Sequence, residues 1–237
     1  MNNKSVFGTD GIRGHANKGN ITADFFVKIG YIIGYRIFTS FKHKNPNVAR
    51  KPIVIIGKDT RLSGYMIESS LVAGLVSTGI DVMLTGPIST PGISILTKSM
   101  RADGGIMITA SHNYFYDNGV KIFNNNGEKI SSNDQKEIEL LLQQDTSEFL
   151  VESKLFGKVK RIENVDGRYV EFVKSQFKGL NLRGFKIAID SANGGAYKIA
   201  NSIFWELGAE TFCSANEPNG ININDNCGSN YPDMISK

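Results

Sequence analysis

The spacing of apolar residues divides the chain into alternating helices and strands. Apolar side chains recur at steps of three or four over residues 23–41, which predicts a helix with one broad buried face. Residues 53–56 form an uninterrupted apolar run, which is typical of a strand in a covered, mostly parallel sheet. A helix ending at residue 77 and a strand over residues 80–84 follow, so this part of the chain predicts a strand-helix-strand unit.

A second apolar run, residues 106–108, leads directly into small and polar residues. Asn118 and Gly119 then predict a turn, and residues 120–123 predict a short returning strand. The polar segment between the two strands therefore lies where the first strand ends.

That segment places the hydroxyl of Ser111, the imidazole of His112 and the amide of Asn113 at a strand end. In α/β proteins this edge of the sheet is where ligands bind. Lys121 follows ten positions after Ser111, so the returning strand can bring its ammonium group towards the serine. The stretch indicates a phosphate site, although a Ser-His-Asn run also suits an ordinary hydrogen-bonded turn.

A polar, poorly periodic segment over residues 145–166 is the predicted domain boundary. The elements after it repeat the order of the first part, which indicates a duplicated α/β unit. These elements are a helix at residues 167–177, a strand at residues 185–190, a glycine-bearing turn at residues 191–195, a helix that follows this turn and ends at residue 207, and a strand at residues 211–214.

Composition narrows the class of protein. The chain has 237 residues, 41% of them hydrophobic, which is enough to bury a core, and its net charge of +4 is scattered along the chain. Neither nucleic-acid binding nor a membrane span is indicated, and we expect a cytoplasmic protein. Cys213 and Cys227 have neither metal-ligand spacing nor the density of a disulfide scaffold.

Two motifs in the same order resemble the α-D-phosphohexomutase family. They are FGTDGIRG at residues 7–14 and TASHN followed by YDNGVKI at residues 109–122, and the likeness runs from Val6 to about Pro232. It is greatest to the glucosamine-phosphate members of the family. The resemblance implies an α/β fold of two three-layer αβα domains with mixed, mostly parallel sheets, at residues 1–155 and 156–237.

NDNCGSNYPD at residues 224–233 resembles the segment that, in this family, precedes an aspartate-rich metal-binding loop. We therefore expect the second domain to be incomplete, ending before that loop, and the chain to be the amino-terminal portion of a longer enzyme. On its own it should have little mutase activity.

The resemblance also implies roles for single residues. Ser111 becomes the phosphorylated nucleophile and one magnesium ligand, and His112 and Lys121 become catalytic groups that move protons or contact phosphate. Arg13 becomes a contact to substrate or phosphate. The loop GKDTRLSG at residues 57–64 similarly makes Arg61 a positioning residue that binds substrate or phosphate, although by residue type alone Arg61 suits an ion pair with Asp59.

The implied reaction interconverts glucosamine 6-phosphate and glucosamine 1-phosphate through a phosphoserine and a bisphosphate intermediate, a step towards amino-sugar nucleotides and cell-wall precursors. The implied cofactors are Mg²⁺ and, as activator, glucosamine or glucose 1,6-bisphosphate. The expected partner is a phosphorylated hexosamine, and we expect binding neither to nucleic acid nor to a membrane. A homodimer is the candidate assembly.

Three alternatives remain open. A phosphoglucomutase or phosphomannomutase differs only in its sugar, and FGTDGIRG and YDNG favour the glucosamine reaction. A non-catalytic phosphosugar-binding module is a second alternative. A serine hydrolase is disfavoured because no G-x-S-x-G motif surrounds Ser111. One departure from the family pattern is Tyr114, where proline usually follows SHN, so the shape of the serine loop is not predicted by the resemblance.

Overall fold

The computed structural model describes residues 5–236, which contain eight β-strands and six α-helices. The strands are β1 (Ile12–His15), β2 (Ile53–Lys58), β3 (Asp81–Pro87), β4 (Gly104–Ile108), β5 (Asp117–Phe123), β6 (Val159–Arg161), β7 (Lys186–Asp190) and β8 (Glu210–Ser214). The helices are α1 (Ala23–Lys44), α2 (Ser63–Ser77), α3 (Thr90–Ser99), α4 (Ser132–Leu141), α5 (Val165–Ser175) and α6 (Ile199–Glu206). The expected α/β class is confirmed.

Six strands form a mixed sheet in the order β1-β5-β4-β2-β3-β6. Strands β2, β3, β4 and β6 run parallel, and β5 is antiparallel to both β4 and β1. Alternate residues of β2 enter different cores: Val54 and Ile56 pack towards α1 and α2, whereas Ile55 packs with Ile93 of α3. Because helices cover both faces of the sheet, the central strands consist of continuous runs of apolar residues.

Helices α1 and α2 approach each other closely because glycine lies at their contact. A Cβ on Gly74 would come 2.4 Å from the carbonyl oxygen of Val27 and 2.7 Å from the Cα of Gly30. This close contact fixes α2, and with it the loop that joins β2 to α2.

The second set of elements is smaller among the described residues. Strands β7 and β8 form a two-stranded parallel sheet, helix α6 packs on both strands, and α5 packs on α6. Strand β6, which follows residue 155, pairs with β3 of the first sheet. The domain limits 1–155 and 156–237 stay a prediction, and β6 shows that the first sheet receives residues from beyond residue 155.

The predicted turn at Asn118 and Gly119 is wrong, because both residues lie within β5. Gly119 is opposite Arg13 in the ladder, and a Cβ there would lie 2.0 Å from the carbonyl oxygen of Ile12. The glycine therefore permits the close approach of β1, a strand within FGTDGIRG that the spacing of apolar residues does not predict.

None of the helices within residues 5–236 has both the length and the apolar character required to cross a lipid bilayer.

Candidate active site

The serine loop, residues 109–117, joins the carboxyl end of β4 to β5. Ser111 is solvent-exposed and has a left-handed backbone conformation, with φ of 57°. That region is uncommon for a serine, so neighbouring groups must hold the backbone there. The loop thus presents a hydroxyl-bearing residue at the edge of the sheet where ligands of α/β proteins bind.

A buried chain of hydrogen bonds supports the loop from β2. The Ser111 N–H donates to Thr109 Oγ1 at 2.9 Å, and the Thr109 hydroxyl donates to Asp59 Oδ2 at 2.7 Å. Thr109 and Asp59 are each only 4% exposed. Because these bonds are shielded from water, they restrict the backbone at Ser111 more strongly than surface contacts do.

Arg61 is fully buried and donates all five of its side-chain N–H groups within the protein. Its Nε donates to Asp59 at 2.8 Å, so the ion pair suggested by the residue types is present. Its four Nη hydrogens go to loop carbonyl oxygens, those of Ser111, Asn113, Tyr114 and Asp117. Arg61 therefore positions the loop. A direct contact to phosphate stays a prediction that this arrangement does not support, since no N–H is left to donate.

A cavity of about 340 Å³ opens beside Ser111 and His112, and both residues line it. Its opposite wall comes from the carboxyl end of β7, with Asp190 and Ser191, and from the glycine-bearing turn that follows. The cavity thus lies between the two sets of elements. His112 is exposed, and its carbonyl oxygen accepts a hydrogen bond from Asn230 Nδ2 at 3.0 Å.

Arg13 and Lys121 lie together on neighbouring strands, outside the wall of this cavity. Lys121 is paired with Met107 in the β4–β5 ladder. The side chains of paired residues lie on the same face of a sheet, so Lys121 and Met107 share a face. Met107 precedes Ser111 by four residues. Arg13 forms an ion pair with Asp10 at 3.3 Å. Its Nε is buried and has no hydrogen-bond partner among residues 5–236.

Burial and, to a lesser extent, the nearby Arg13 charge lower the pKa of Lys121. A lowered pKa brings a lysine closer to the range in which it can both give and take a proton near neutral pH. The structure thus places Ser111 and His112 at one cavity, Arg61 beneath their loop, and Arg13 with Lys121 on the adjacent strands.

Asn224 and Asp190 are two further residues of the site that the sequence motifs do not single out. Asn224 Nδ2 donates to the carbonyl oxygens of Ser111 at 2.9 Å and Asn113 at 2.8 Å. The sequence contains only weak signals for these two residues. Asn224 is the first residue of the motif at residues 224–233. Asp190 lies at the end of an apolar strand, a position similar to that of Asp59 after β2.

The described residues do not complete a magnesium site. Within residues 5–236, no group of three or more His, Cys, Asp or Glu side chains is placed to hold a metal ion. Asp190, the carboxylate on the cavity wall opposite Ser111, already accepts the N–H groups of Ala192 and Gly228. The role of Ser111 as a metal ligand therefore stays a prediction.

Comparison with known proteins gives consistent matches. Residues 4–149 match the family model described as phosphoglucomutase/phosphomannomutase, alpha/beta/alpha domain I. The chain is 49% identical over 238 residues to the phosphoglucosamine mutase of Phenylobacterium zucineum, covering 100% of this chain and 51% of that protein. It is 50% identical over 234 residues to that of Bdellovibrio bacteriovorus, covering 98% of this chain and 50% of that protein.

A solved structure has the same fold. It is a phosphoglucomutase/phosphomannomutase family protein from Burkholderia thailandensis, with a TM-score of 0.74 and 26% identity over 91% of this chain and 45% of that one. The chain spans about half the length of the curated relatives that it matches.

Proposed function

Since the chain belongs to the phosphoglucomutase/phosphomannomutase family, we propose that it is the nucleophile-bearing, amino-terminal part of a phosphoglucosamine mutase. A single observation carries the proposal: Ser111 is exposed and lines a cavity, while buried groups hold its backbone by hydrogen bonds. Phosphoryl transfer depends mainly on alignment and charge neutralisation, so a rigidly held, accessible hydroxyl suits it.

In the proposed reaction, phosphorylated Ser111 transfers its phosphoryl group to a hydroxyl of a glucosamine phosphate. The Oγ–P bond breaks, a new O–P bond forms on the sugar, and a base takes the proton of the sugar hydroxyl. The resulting bisphosphate reorients in the site. The O–P bond at its other end then breaks, a new O–P bond forms on Ser111 Oγ, and the base returns its proton to the sugar oxygen that is released. The products are therefore the isomeric monophosphate and regenerated phosphoserine.

We propose His112 and Lys121 as the groups that move the proton or contact phosphate. His112 shares the cavity with Ser111, and the lowered pKa of Lys121 suits proton exchange. Arg13, whose Nε has no hydrogen-bond partner in the part of the chain that the structure describes, is the proposed phosphate contact, because a guanidinium matches the geometry of phosphate oxygens.

The family suggests a magnesium requirement and a sugar-phosphate substrate. A magnesium ion would neutralise charge on the transferred phosphoryl group, with an oxygen of Ser111 as one ligand. Glucosamine or glucose 1,6-bisphosphate is the proposed activator, since it can place the first phosphoryl group on Ser111. The glucosamine reaction is favoured over the glucose or mannose reactions because relatives near 50% identity are phosphoglucosamine mutases.

The test is phosphorylation of Ser111 in the full-length protein. After incubation with glucose 1,6-bisphosphate and Mg²⁺, mass spectrometry of peptides should find one phosphoryl group, on Ser111. Ser111→Ala should abolish both labelling and mutase turnover. Ser191→Ala is the matched control, because Ser191 lines the same cavity and should leave labelling unchanged.

Phosphate on another residue, or turnover retained by Ser111→Ala, would show that the nucleophile is wrongly assigned. Binding of the sugar phosphate without any labelling would instead favour the non-catalytic phosphosugar-binding module.

A further inference from the structure

A segment of the second set of elements holds the serine loop. We call residues 224–231 the clamp segment. Asn224 donates to the carbonyl oxygens of Ser111 and Asn113, and Asn230 donates to that of His112. The hydroxyl of Tyr231 lies 2.6 Å from that of Tyr114. Four consecutive loop residues, 111–114, are thus each bonded to the clamp segment.

Asn224 is the most informative of these contacts because it shares both of its acceptors with Arg61. The carbonyl oxygens of Ser111 and Asn113 accept from Arg61 Nη2 at 2.8 and 2.9 Å, and from Asn224 Nδ2 at 2.9 and 2.8 Å. A carbonyl oxygen has two lone pairs, so one donor from each side satisfies it fully. Asn224 is only 7% exposed, and its two bonds are therefore shielded from water.

The clamp segment is itself anchored to the end of β7. Asp190 Oδ2 accepts the N–H of Gly228 at 2.7 Å, and the N–H of Asn224 donates to the carbonyl oxygen of Ala192 at 2.9 Å. Its position relative to the loop therefore follows from the position of the second sheet.

The second sheet is in turn docked on the loop between β2 and α2. The Leu62 N–H donates to the Gly220 carbonyl oxygen at 3.0 Å, and the Thr60 hydroxyl donates to the carbonyl oxygen of Asn193. Gly195 packs so closely that a Cβ there would lie 2.3 Å from the carbonyl oxygen of Ile88. The contact between the two sets of elements is thus specific, and the clamp segment has a fixed register on the loop.

We propose that Asn224 is a positioning residue, and that docking of the second set of elements through the clamp segment fixes the backbone of the nucleophile loop at Ser111. Without Asn224, Arg61 is the one remaining hydrogen-bond donor to these two carbonyl oxygens among the described residues. The left-handed conformation of Ser111 is then held by fewer hydrogen bonds. The loop then samples other conformations, and the Ser111 hydroxyl is aligned for reaction in a smaller fraction of molecules. Only this last step rests on the proposed function.

The first measurement is hydrogen exchange of the hydrogen-bonded loop amides of Ser111, Asn113 and Asp117 in the present chain. Asn224→Ala should accelerate their exchange about tenfold, because tenfold corresponds to about 1.4 kcal/mol, which lies within the net stabilisation expected from the two hydrogen bonds that are lost. Amides of the central strand β2 should exchange at the wild-type rate. Asn226→Ala is the matched control, because Asn226 also has a left-handed φ, 51° against 58° for Asn224. Within residues 5–236, its side chain bonds only to Asp225.

The second measurement is the rate of Ser111 phosphorylation by glucose 1,6-bisphosphate in the full-length protein. Asn224→Ala should lower the maximal rate about tenfold and leave the half-saturating concentration unchanged, because alignment is lost and binding is not. Asn226→Ala should match the wild type in both quantities.

Wild-type exchange rates at the loop of Asn224→Ala would overturn the proposal. So would an equal acceleration in the loop and in β2, since that pattern indicates general destabilisation. A wild-type protein that is never phosphorylated at Ser111 refutes the proposed function instead, and the exchange data still decide whether Asn224 holds the loop.

Discussion

Ser111 combines an unfavourable backbone conformation with an accessible side chain. A non-glycine residue in the left-handed region costs about 1 kcal/mol or more. Here the cost is offset by bonds from Thr109, Arg61 and Asn224, all of which act on the backbone of Ser111. The hydroxyl itself is left for chemistry.

Lys121 provides a prediction at the same scale. Because burial and Arg13 disfavour its charged form, its folded-state pKa lies below the value of about 10.4 in an unfolded chain. Between these two values the unfolded state binds more protons, so the free energy of unfolding should increase with pH across that window. At pH 7 the ammonium group is destabilising.

Nuclear magnetic resonance titration of the lysine Cε signals checks this prediction. Lys121 should titrate at lower pH than Lys174, whose pKa is raised by hydrogen bonds to Glu171 and Glu206. Arg13→Gln should shift the Lys121 midpoint upward, because one cause of the lowered pKa is then removed. If Lys121 titrates at higher pH than Lys174, the prediction that burial lowers the pKa of Lys121 is wrong.

At the scale of elements, glycine determines how closely two pairs of elements approach. Gly119 permits β1 to pair with β5, and Gly30 and Gly74 permit α1 to pack on α2. The first pairing carries Arg13 to its place beside Lys121. The second places the loop between β2 and α2, and therefore Asp59 and Arg61, beneath Ser111.

The helix contact can be tested with Gly74→Ala. The added Cβ would lie 2.4 Å from a backbone oxygen, so the helices must separate, and the free energy of unfolding should fall by about 2 kcal/mol. Gly64→Ala is the matched control in the same helix, where the nearest atom to the new Cβ is 3.4 Å away on the Lys58 side chain, an ordinary van der Waals distance. It should be neutral or stabilising, since alanine favours a helix by up to about 1 kcal/mol over glycine. Urea unfolding followed by circular dichroism measures both, and equal effects would refute the argument.

At the scale of the whole molecule, the two sets of elements are interdependent. Strand β6 completes the edge of the first sheet, although it follows the predicted boundary at residue 155. The clamp segment, which also follows residue 155, likewise bonds to the first set of elements, at the serine loop. Each part of the chain therefore supplies residues to structures built mainly by the other.

The contribution of β6 leads to a prediction about fragments. Residues 1–163 should be more stable than residues 1–155, because the longer fragment keeps the bonds of β3 to Lys158 and Ile162. A few backbone hydrogen bonds are worth about 2 kcal/mol net, which corresponds to a midpoint higher by about 5 °C or more in a domain of this size. Thermal unfolding of the two fragments measures the difference, and identical midpoints would place β6 outside the folding unit of the first sheet.

Local sequence determined the elements with strong periodicity. Helix α2 and strands β2 and β4 were predicted within a few residues, because an apolar repeat reflects burial regardless of the rest of the fold. The motifs around residues 7–14 and 109–122 were sufficient to identify the family, and with it Ser111 as the candidate nucleophile.

Tertiary structure alone decided how the loop is held. Nothing in the spacing of residues shows that Arg61 has no N–H left for a ligand, or that Gly119 faces a strand and not a turn. The bond from Asn224 to Ser111 joins residues 113 positions apart. Such contacts depend on how separate elements dock, and a local pattern carries no information about docking, which is why the positioning of the nucleophile could be read only from the folded molecule.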